Sequence, residues 1–142
     1  MPTTPVILLV EDDPDHEALA IRALRKANVV NEIQVARDGA EAIDFLKSIG
    51  ENNPLPQLVL LDLKLPKVDG LEVLRFIRAL DRTSILPVVV LTSSDEERDI
   101  VASYRLGVNS YIRKPVNFTD FAEATRQLGM YWLLLNQCPP AS

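Results

Sequence analysis

Reactive side chains in this sequence follow directly after short apolar runs. Carboxylates come after residues 6–10 and 58–61, hydroxyls come after 88–91, and an ammonium comes after 110–113. If these runs are parallel strands, their carboxyl ends share one edge of a sheet, where ligands bind in such folds. We therefore expect a single pocket formed by four separate segments, which contribute Glu11, Asp12, Asp13, Asp62, Thr92, Ser93, Ser94 and Lys114.

Such a pocket suits phosphoryl transfer assisted by a divalent cation. Crowded carboxylates repel one another unless they bind a cation or take up protons, and ligands that are all oxygen favour a hard ion such as Mg²⁺. Asp62 would be the nucleophile that forms an aspartyl phosphate. Thr92 and Lys114 would bind the phosphoryl oxygens, since this reaction depends mainly on placement and charge neutralisation.

Five apolar runs alternate with five amphipathic segments, the pattern of βα units around a parallel sheet. The sequence predicts strands at 6–10, 32–36, 58–61, 88–91 and 110–113, and helices after Asp13-Pro14, at 39–49, 70–80, 94–107 and 118–136, the fifth being the longest. The first, third and fourth strands are continuous apolar runs, which suits the centre of a sheet. We expect an α/β fold, a doubly wound five-stranded parallel sheet, and the strand strengths favour the order 2-1-3-4-5.

Composition describes a globular protein. The 142 residues are 47% apolar and 25% charged, which suits one hydrophobic core but not two ordinary domains. The net charge of -5 argues against direct binding of nucleic acid. Cys138 is the only cysteine, and no apolar run resembles a signal peptide or a membrane span. We expect a cytoplasmic protein with no membrane contact, a single domain over 1–142 with its core at about 5–137 and a short tail at 138–142.

Four motifs together resemble the receiver domains of bacterial response regulators. They are Val10-Glu11-Asp12-Asp13-Pro14, Leu61-Asp62-Leu63-Lys64-Leu65-Pro66 with Asp69-Gly70, Leu91-Thr92-Ser93-Ser94, and Tyr111-Ile112-Arg113-Lys114-Pro115. The stretch 49–57 and the ending Met130-Tyr131-Trp132-Leu133 are similar to stand-alone regulators that partner phytochrome kinases. The resemblance implies a flavodoxin-like receiver fold with the same strand order, acting in a two-component phosphorelay.

The resemblance also implies a role for each matching position. Asp62 would accept the phosphoryl group, Asp12 and Glu11 would bind Mg²⁺, and the backbone carbonyl of Lys64 would complete the metal site. Thr92 and Lys114 would contact the phosphoryl group. Tyr111 would be the switch aromatic that turns inward as Thr92 moves, and the bond before Pro115 would be cis. The protein would be a phosphoacceptor switch, an enzyme only in its own phosphorylation and dephosphorylation.

The expected partners are proteins. The resemblance implies a sensor histidine kinase, of the phytochrome class in the narrower match, and a switched surface on helix 4, strand 5 and helix 5. Only residues 137–142 follow the last predicted helix, so we expect the output to be a protein contact. Along helix 5 an apolar seam predicts packing on the sheet and then a homodimer surface at Tyr131, Trp132 and Leu135. Its members are Phe118, Phe121, Thr125, Leu128, Trp132 and Leu135.

Two other functions remain open at this point. One is a receiver-like docking module that is never phosphorylated. The other is a phosphohydrolase of the haloacid dehalogenase type, which Lys64 disfavours because such enzymes carry a second aspartate there. Several residues have simpler interpretations: Asp13 and Asp69 are predicted helix caps, and Ser94 to Glu97 a capping box. His16 is expected on an exposed part of the first helix, without a role.

Overall fold

One parallel sheet organises the protein. The computed structural model describes residues 5–94, 96–114 and 117–135, apart from the side chains of Phe118, Leu134 and Leu135. Within these residues the strands lie in the order β2-β1-β3-β4-β5, and every neighbouring pair is parallel. The predicted fold class and strand order are therefore confirmed. The strands are β1 (Val6–Val10), β2 (Glu32–Ala36), β3 (Leu58–Leu61), β4 (Val88–Thr92) and β5 (Ser110–Arg113).

Helices cover both faces of the sheet, because alternate strand residues point to opposite faces and both sets are apolar. Leu8 and Val10 belong to the core on one face, and Ile7 and Leu9 to the core on the other. The first core also includes residues of the second and third helices, and the second core includes residues of the first and fifth helices. The helices are α1 (Pro14–Lys26), α2 (Gly39–Ser48), α3 (Gly70–Ala79), α4 (Glu97–Arg105) and α5 (Phe118–Gly129), with a 3-10 turn at Asp81–Thr83.

Two aspartates cap helices as predicted. The side chain of Asp13 accepts hydrogen bonds from the backbone N–H groups of residues 15 and 16, at the start of α1. The side chain of Asp69 accepts from the N–H of Glu72 at the start of α3. Gly70 follows, and a Cβ at that position would overlap the carbonyl oxygen of Asp62. A glycine is therefore required for α3 to begin against the end of β3.

The predicted start of the fourth helix is wrong. α4 begins at Glu97, and its N-cap, Glu96, makes no capping hydrogen bond with its side chain. The hydroxyl of Ser94 instead donates to Asp99 Oδ2 at 2.5 Å and accepts from the N–H of Glu96 at 3.3 Å. Ser94 is thus buried beneath the first turn of the helix and does not cap it.

The end of the fifth helix also differs from the prediction. α5 has 12 α-helical residues, one fewer than α1, and it continues as a π-helix over Met130–Leu135. At Gly129 a Cβ would collide with Leu24, so the glycine permits close packing on α1. Trp132 and Leu133 are partly buried against the adjoining core. Part of the segment that was predicted to leave the sheet for a homodimer surface therefore packs on the core of its own chain.

Candidate functional site

Asp62 lies at the centre of the pocket, and three segments donate hydrogen bonds to its carboxylate. Oδ1 accepts from the hydroxyl of Thr92 at 2.8 Å and from the backbone N–H of Lys64 at 3.1 Å. Oδ2 accepts from Lys114 Nζ at 2.9 Å. Asp62 is only 6% exposed, so these bonds hold a buried carboxylate at the carboxyl edge of the sheet. The convergence predicted from the ends of β1, β3, β4 and β5 is present.

Lys114 is the cation of this cluster. Its side chain is 4% exposed, and Nζ donates to Glu11 Oε1 at 2.5 Å as well as to Asp62. Burial by itself would lower the pKa of this ammonium. The charges and hydrogen bonds of Asp62 and Glu11 outweigh burial, so the pKa of Lys114 is raised. The ammonium therefore stays charged between two carboxylates.

Among the residues of the site, Glu11 has a clearly raised carboxyl pKa. The net pKa of its carboxyl is about 7, because burial, and to a smaller extent the negative charge of Asp62, raises it. The hydrogen bond and charge of Lys114 offset part of this effect. Glu11 Oε2 also accepts from the N–H of Asp13 at 3.2 Å. Near neutral pH this carboxyl group can therefore release a proton and bind a metal cation in its place.

An acidic triad of Glu11, Asp12 and Asp62 could hold a metal ion. One carboxylate oxygen from each lies within 4.8 Å of the others, with Asp12 exposed and the other two buried. All three donors are oxygens, and burial together with the charge of Asp62 raises the pKa of Glu11, an effect that a bound cation would oppose. These features fit a hard divalent cation such as Mg²⁺ or Mn²⁺. The side chain of Lys64 lies outside the triad, 3.6 Å from Asp99 Oδ2.

Hydroxyl groups connect Asp62 to β5 through the segment after β4. Thr92 is fully buried, and its Oγ1 accepts from the N–H of Ser94 at 3.3 Å. The carbonyl oxygen of Ser94 accepts from the hydroxyl of Tyr111 at 2.8 Å. Thr92 and Tyr111 are therefore linked through one residue.

His16 contacts the site and is partly buried, although it was expected on an exposed part of the first helix. Its side chain is 30% exposed, with Nδ1 at 3.0 Å from Lys114 Nζ and its ring stacked on Phe121. Helical spacing could have identified this residue. His16 precedes Ala20 by four positions and Ala23 by seven, so it continues the buried stripe of α1.

Some predicted positions are not tested by the described residues. Pro115, with the peptide bond before it, lies outside them, as do the side chains of Phe118 and Leu135. Tyr131 is 52% exposed, and Trp132 is partly buried against the core. No helix within 5–94, 96–114 and 117–135 has both the length and the apolar character needed to cross a bilayer.

Comparison with known proteins identifies a family model and several similar proteins that agree with one another. The family model of the response regulator receiver domain matches residues 7–126. The chain is 43% identical over 135 residues to the probable methanogenesis regulatory protein FilR2 of Methanothrix harundinacea, covering 94% of this chain and 87% of that protein. It is 42% identical over 138 residues to response regulator Rcp1 of Synechocystis, covering 96% of this chain and 94% of that one.

Solved structures agree with these sequences. The phosphorylated cyanobacterial phytochrome response regulator RcpA superposes with a TM-score of 0.90 at 39% identity, covering 97% of this chain and all of that one (100%). The Mn²⁺-bound form of Rcp1 gives a TM-score of 0.89 at 41% identity, covering 96% of this chain and 99% of that one. The likeness therefore extends over nearly the whole length of the proteins compared.

Proposed function

The chain belongs to the family of response regulator receiver domains, and we propose that it is a phosphorylation switch with Asp62 as the phosphoacceptor. The observation that carries the proposal is the convergence of Thr92, Lys114 and the Lys64 N–H on one buried carboxylate beside an acidic triad. We propose one receiver domain with its core at about 5–137, located in the cytoplasm. A docking module that is never phosphorylated would have no use for this arrangement.

In the proposed reaction an oxygen of Asp62 attacks the phosphorus of a phosphohistidine on a sensor histidine kinase. A P–O bond forms, the P–N bond breaks, and its electron pair returns to the imidazole nitrogen of the kinase. Lys114 Nζ and the hydroxyl of Thr92 already face the carboxylate, and they would donate to oxygens of the incoming phosphoryl group. The protein thereby supplies alignment and positive charge.

The carboxylates of Glu11, Asp12 and Asp62, with the backbone carbonyl of Lys64, would hold Mg²⁺ or Mn²⁺. The bound cation would neutralise negative charge on the phosphoryl oxygens. Binding would require Glu11 to lose the proton that its raised pKa favours. It would also weaken the bond between Glu11 and Lys114, which frees a donor of the ammonium for the phosphoryl group.

The proposed output is a change in the surface formed by α4, β5 and α5. If the hydroxyl of Thr92 turns from Asp62 toward a phosphoryl oxygen, its bond with the Ser94 N–H is strained or lost. Ser94 also binds Asp99 of α4 and Tyr111 of β5. Both elements would therefore respond to phosphorylation, with Tyr111 turning inward.

We propose a phytochrome-type histidine kinase as the partner, because RcpA is described as a phytochrome response regulator. We also propose a homodimer that includes Tyr131, Trp132 and Leu135. The exposed ring of Tyr131 and the half-exposed Met130 support an apolar contact there. Light scattering that gives a monomer at high micromolar concentration, with and without beryllium fluoride, would reject the dimer.

The central test is phosphorylation by acetyl phosphate in the presence of Mg²⁺. We expect a phosphate-affinity gel to reveal a shifted band for the wild type, sensitive to hydroxylamine as an acyl phosphate should be. Asp62→Asn should give no shifted band. Asp69→Asn is the matched control, because this aspartate caps α3 outside the pocket and asparagine also caps helices well. Absence of the band in the wild type would leave only the docking module.

The kinase is tested separately by phosphotransfer from a panel of purified histidine kinases that includes light-sensing ones. We expect the fastest transfer from a phytochrome-type kinase, and no transfer to Asp62→Asn. Faster transfer from a kinase without a light-sensing module would overturn this choice of partner while leaving the switch intact.

A further inference from the structure

Two aromatic rings on different helices flank the ammonium of Lys114. His16 lies in the first turn of α1, and Phe121 lies in α5 with 3% exposure. Their ring centroids are 5.1 Å apart and the planes are inclined by only 24°, a stacked arrangement. Lys114 Nζ lies 6.0 Å from the centre of the Phe121 ring and 3.0 Å from His16 Nδ1. The stack thus fixes the imidazole against the cation.

The direction of the bond between His16 and Lys114 follows from the chemistry of the ammonium. An ammonium has three N–H donors and no acceptor, so Nδ1 of the imidazole must accept. This bond requires the tautomer of His16 that carries its ring proton on Nε2. Nδ1 lies 3.7 Å from Asp13 Oδ2 and 3.9 Å from Glu11 Oε1, beyond hydrogen-bond range. Lys114 is therefore the hydrogen-bond partner of Nδ1.

The three acceptors around Lys114 differ in what else they do. Under the proposed function Glu11 and Asp62 have other tasks, since a metal ion would bind both and Asp62 would become phosphorylated. His16 is an acceptor that neither task requires. Its position is maintained by the ring of Phe121 and by the backbone of α1, whose first turn is capped by Asp13.

We propose that His16 is a positioning residue for Lys114. It retains one hydrogen bond to the ammonium while the carboxylates take up metal and phosphoryl group, so that Nζ stays directed at the reacting oxygens. This inference rests on the proposed function of the site. It adds a residue of α1, and through Phe121 a residue of α5, to the parts of the molecule that govern the phosphorylation rate.

Two substitutions separate the hydrogen bond from the ring. His16→Phe keeps a ring that can stack on Phe121 but removes the acceptor, and His16→Asn places a carbonyl oxygen close to the position of Nδ1. With acetyl phosphate at saturating Mg²⁺, we expect His16→Phe to be phosphorylated about tenfold more slowly, as for loss of one hydrogen bond to a charged group. His16→Asn should restore most of the rate. Mg²⁺ affinity and thermal unfolding should change little in either variant.

A double-substitution cycle distinguishes positioning from a general structural effect. If His16 acts through Lys114, His16→Phe should slow phosphorylation in the wild type but have no further effect in Lys114→Ala. An equal slowing in both backgrounds, or a wild-type rate in His16→Phe, would overturn the inference. An unphosphorylated wild type would instead contradict the proposed function, so the two failures are distinguishable.

Discussion

A buried cation and a partly buried one stand at opposite edges of the sheet and are held in different ways. Lys114 follows β5 at the carboxyl edge and donates to the carboxylates of Glu11 and Asp62. Arg78, at the end of α3, reaches the loops that precede β4 and β5 at the amino edge. Its guanidinium donates to the amide oxygen of Asn109 and to four backbone carbonyls, those of Thr83, Ser84, Leu86 and Gly107.

The pKa shifts of the two cations have opposite directions. Burial lowers the pKa of Arg78, and its acceptors are neutral. Asp62 and Glu11 raise the pKa of Lys114 in spite of its burial. Neutral carbonyls offer nothing to a metal or a phosphoryl group, whereas carboxylates can exchange one cation for another. The cation at the amino edge therefore holds loops in place, whereas the carboxylates around the cation at the carboxyl edge can exchange it for a metal ion.

The largest expected effect is on phosphorylation when Lys114 is replaced. Lys114→Ala should slow phosphorylation by acetyl phosphate by about 10²–10³-fold, the usual loss when one preorganised group that stabilises developing charge is removed. Added Mg²⁺ should raise the melting temperature of this variant more than that of the wild type, because the metal becomes the remaining cation beside Glu11 and Asp62. A rate close to that of the wild type would mean that Lys114 does not assist phosphorylation, and the functional difference between the two edges of the sheet would be lost.

The next effect is on stability when Arg78 is replaced. Arg78→Ala removes the guanidinium donor from five oxygen acceptors, of which at least two keep a backbone N–H donor. We expect the free energy of unfolding in urea to fall by roughly 3 kcal/mol. Arg75→Ala, an exposed arginine on the same helix, is the control and should change stability little. The phosphorylation rate of Arg78→Ala should match the wild type under conditions where the variant is folded. Slower phosphorylation would mean that the two edges are coupled.

A smaller effect concerns pH and Mg²⁺. Burial raises the pKa of Glu11 to about 7, so a proton and the metal compete for its carboxylate. We expect Mg²⁺ affinity to rise about tenfold between about pH 6 and pH 8, with release of a proton measurable by calorimetry in buffers of different ionisation enthalpy. Glu11→Gln should bind Mg²⁺ more weakly and lose most of this pH dependence.

The same shift has a consequence for the metal-free protein. The folded state binds this proton more tightly than the unfolded chain, whose glutamate has a pKa of 4.5. Stability contributed by protonated Glu11 is therefore present at low pH and lost as the pH rises from about 4.5 to about 7. Comparison of wild type and Glu11→Gln by urea unfolding at both ends of this range isolates the contribution. A contribution of Glu11 that grows with pH would contradict the assignment.

Local sequence predicted the strands and the polar convergence because both depend on short continuous patterns. Runs such as Leu58–Leu61 define their own bounds, and polar residues after parallel strands must meet at one edge. Side-chain contacts that no sequence pattern encodes explain the errors. Ser94 fails to cap α4 because Asp99 takes its hydroxyl, and the stack of His16 on Phe121 joins residues of the first and last helices. No local pattern reveals the packing of Gly129 against Leu24 either.

The smallest expected effect is at Lys64, a third cation. Its side chain is close to the site but exposed, so its substitution tests whether a nearby charge matters when it is not buried. Its side chain is 55% exposed and its Nζ lies 3.6 Å from Asp99 Oδ2, while its backbone N–H donates to Asp62. Because Lys64→Ala preserves the backbone bond and removes only a solvent-screened ion pair, stability should change by less than about 1 kcal/mol. Phosphorylation by acetyl phosphate should stay near the wild-type rate. Asp99→Asn, which also alters the buried bond to Ser94, is the matched comparison and should destabilise more. Lys64→Ala would act like Lys114→Ala only if any positive charge near the pocket sped phosphorylation, whether buried or exposed. An equally strong slowing would therefore contradict the conclusion that Lys114 acts through its buried carboxylate partners.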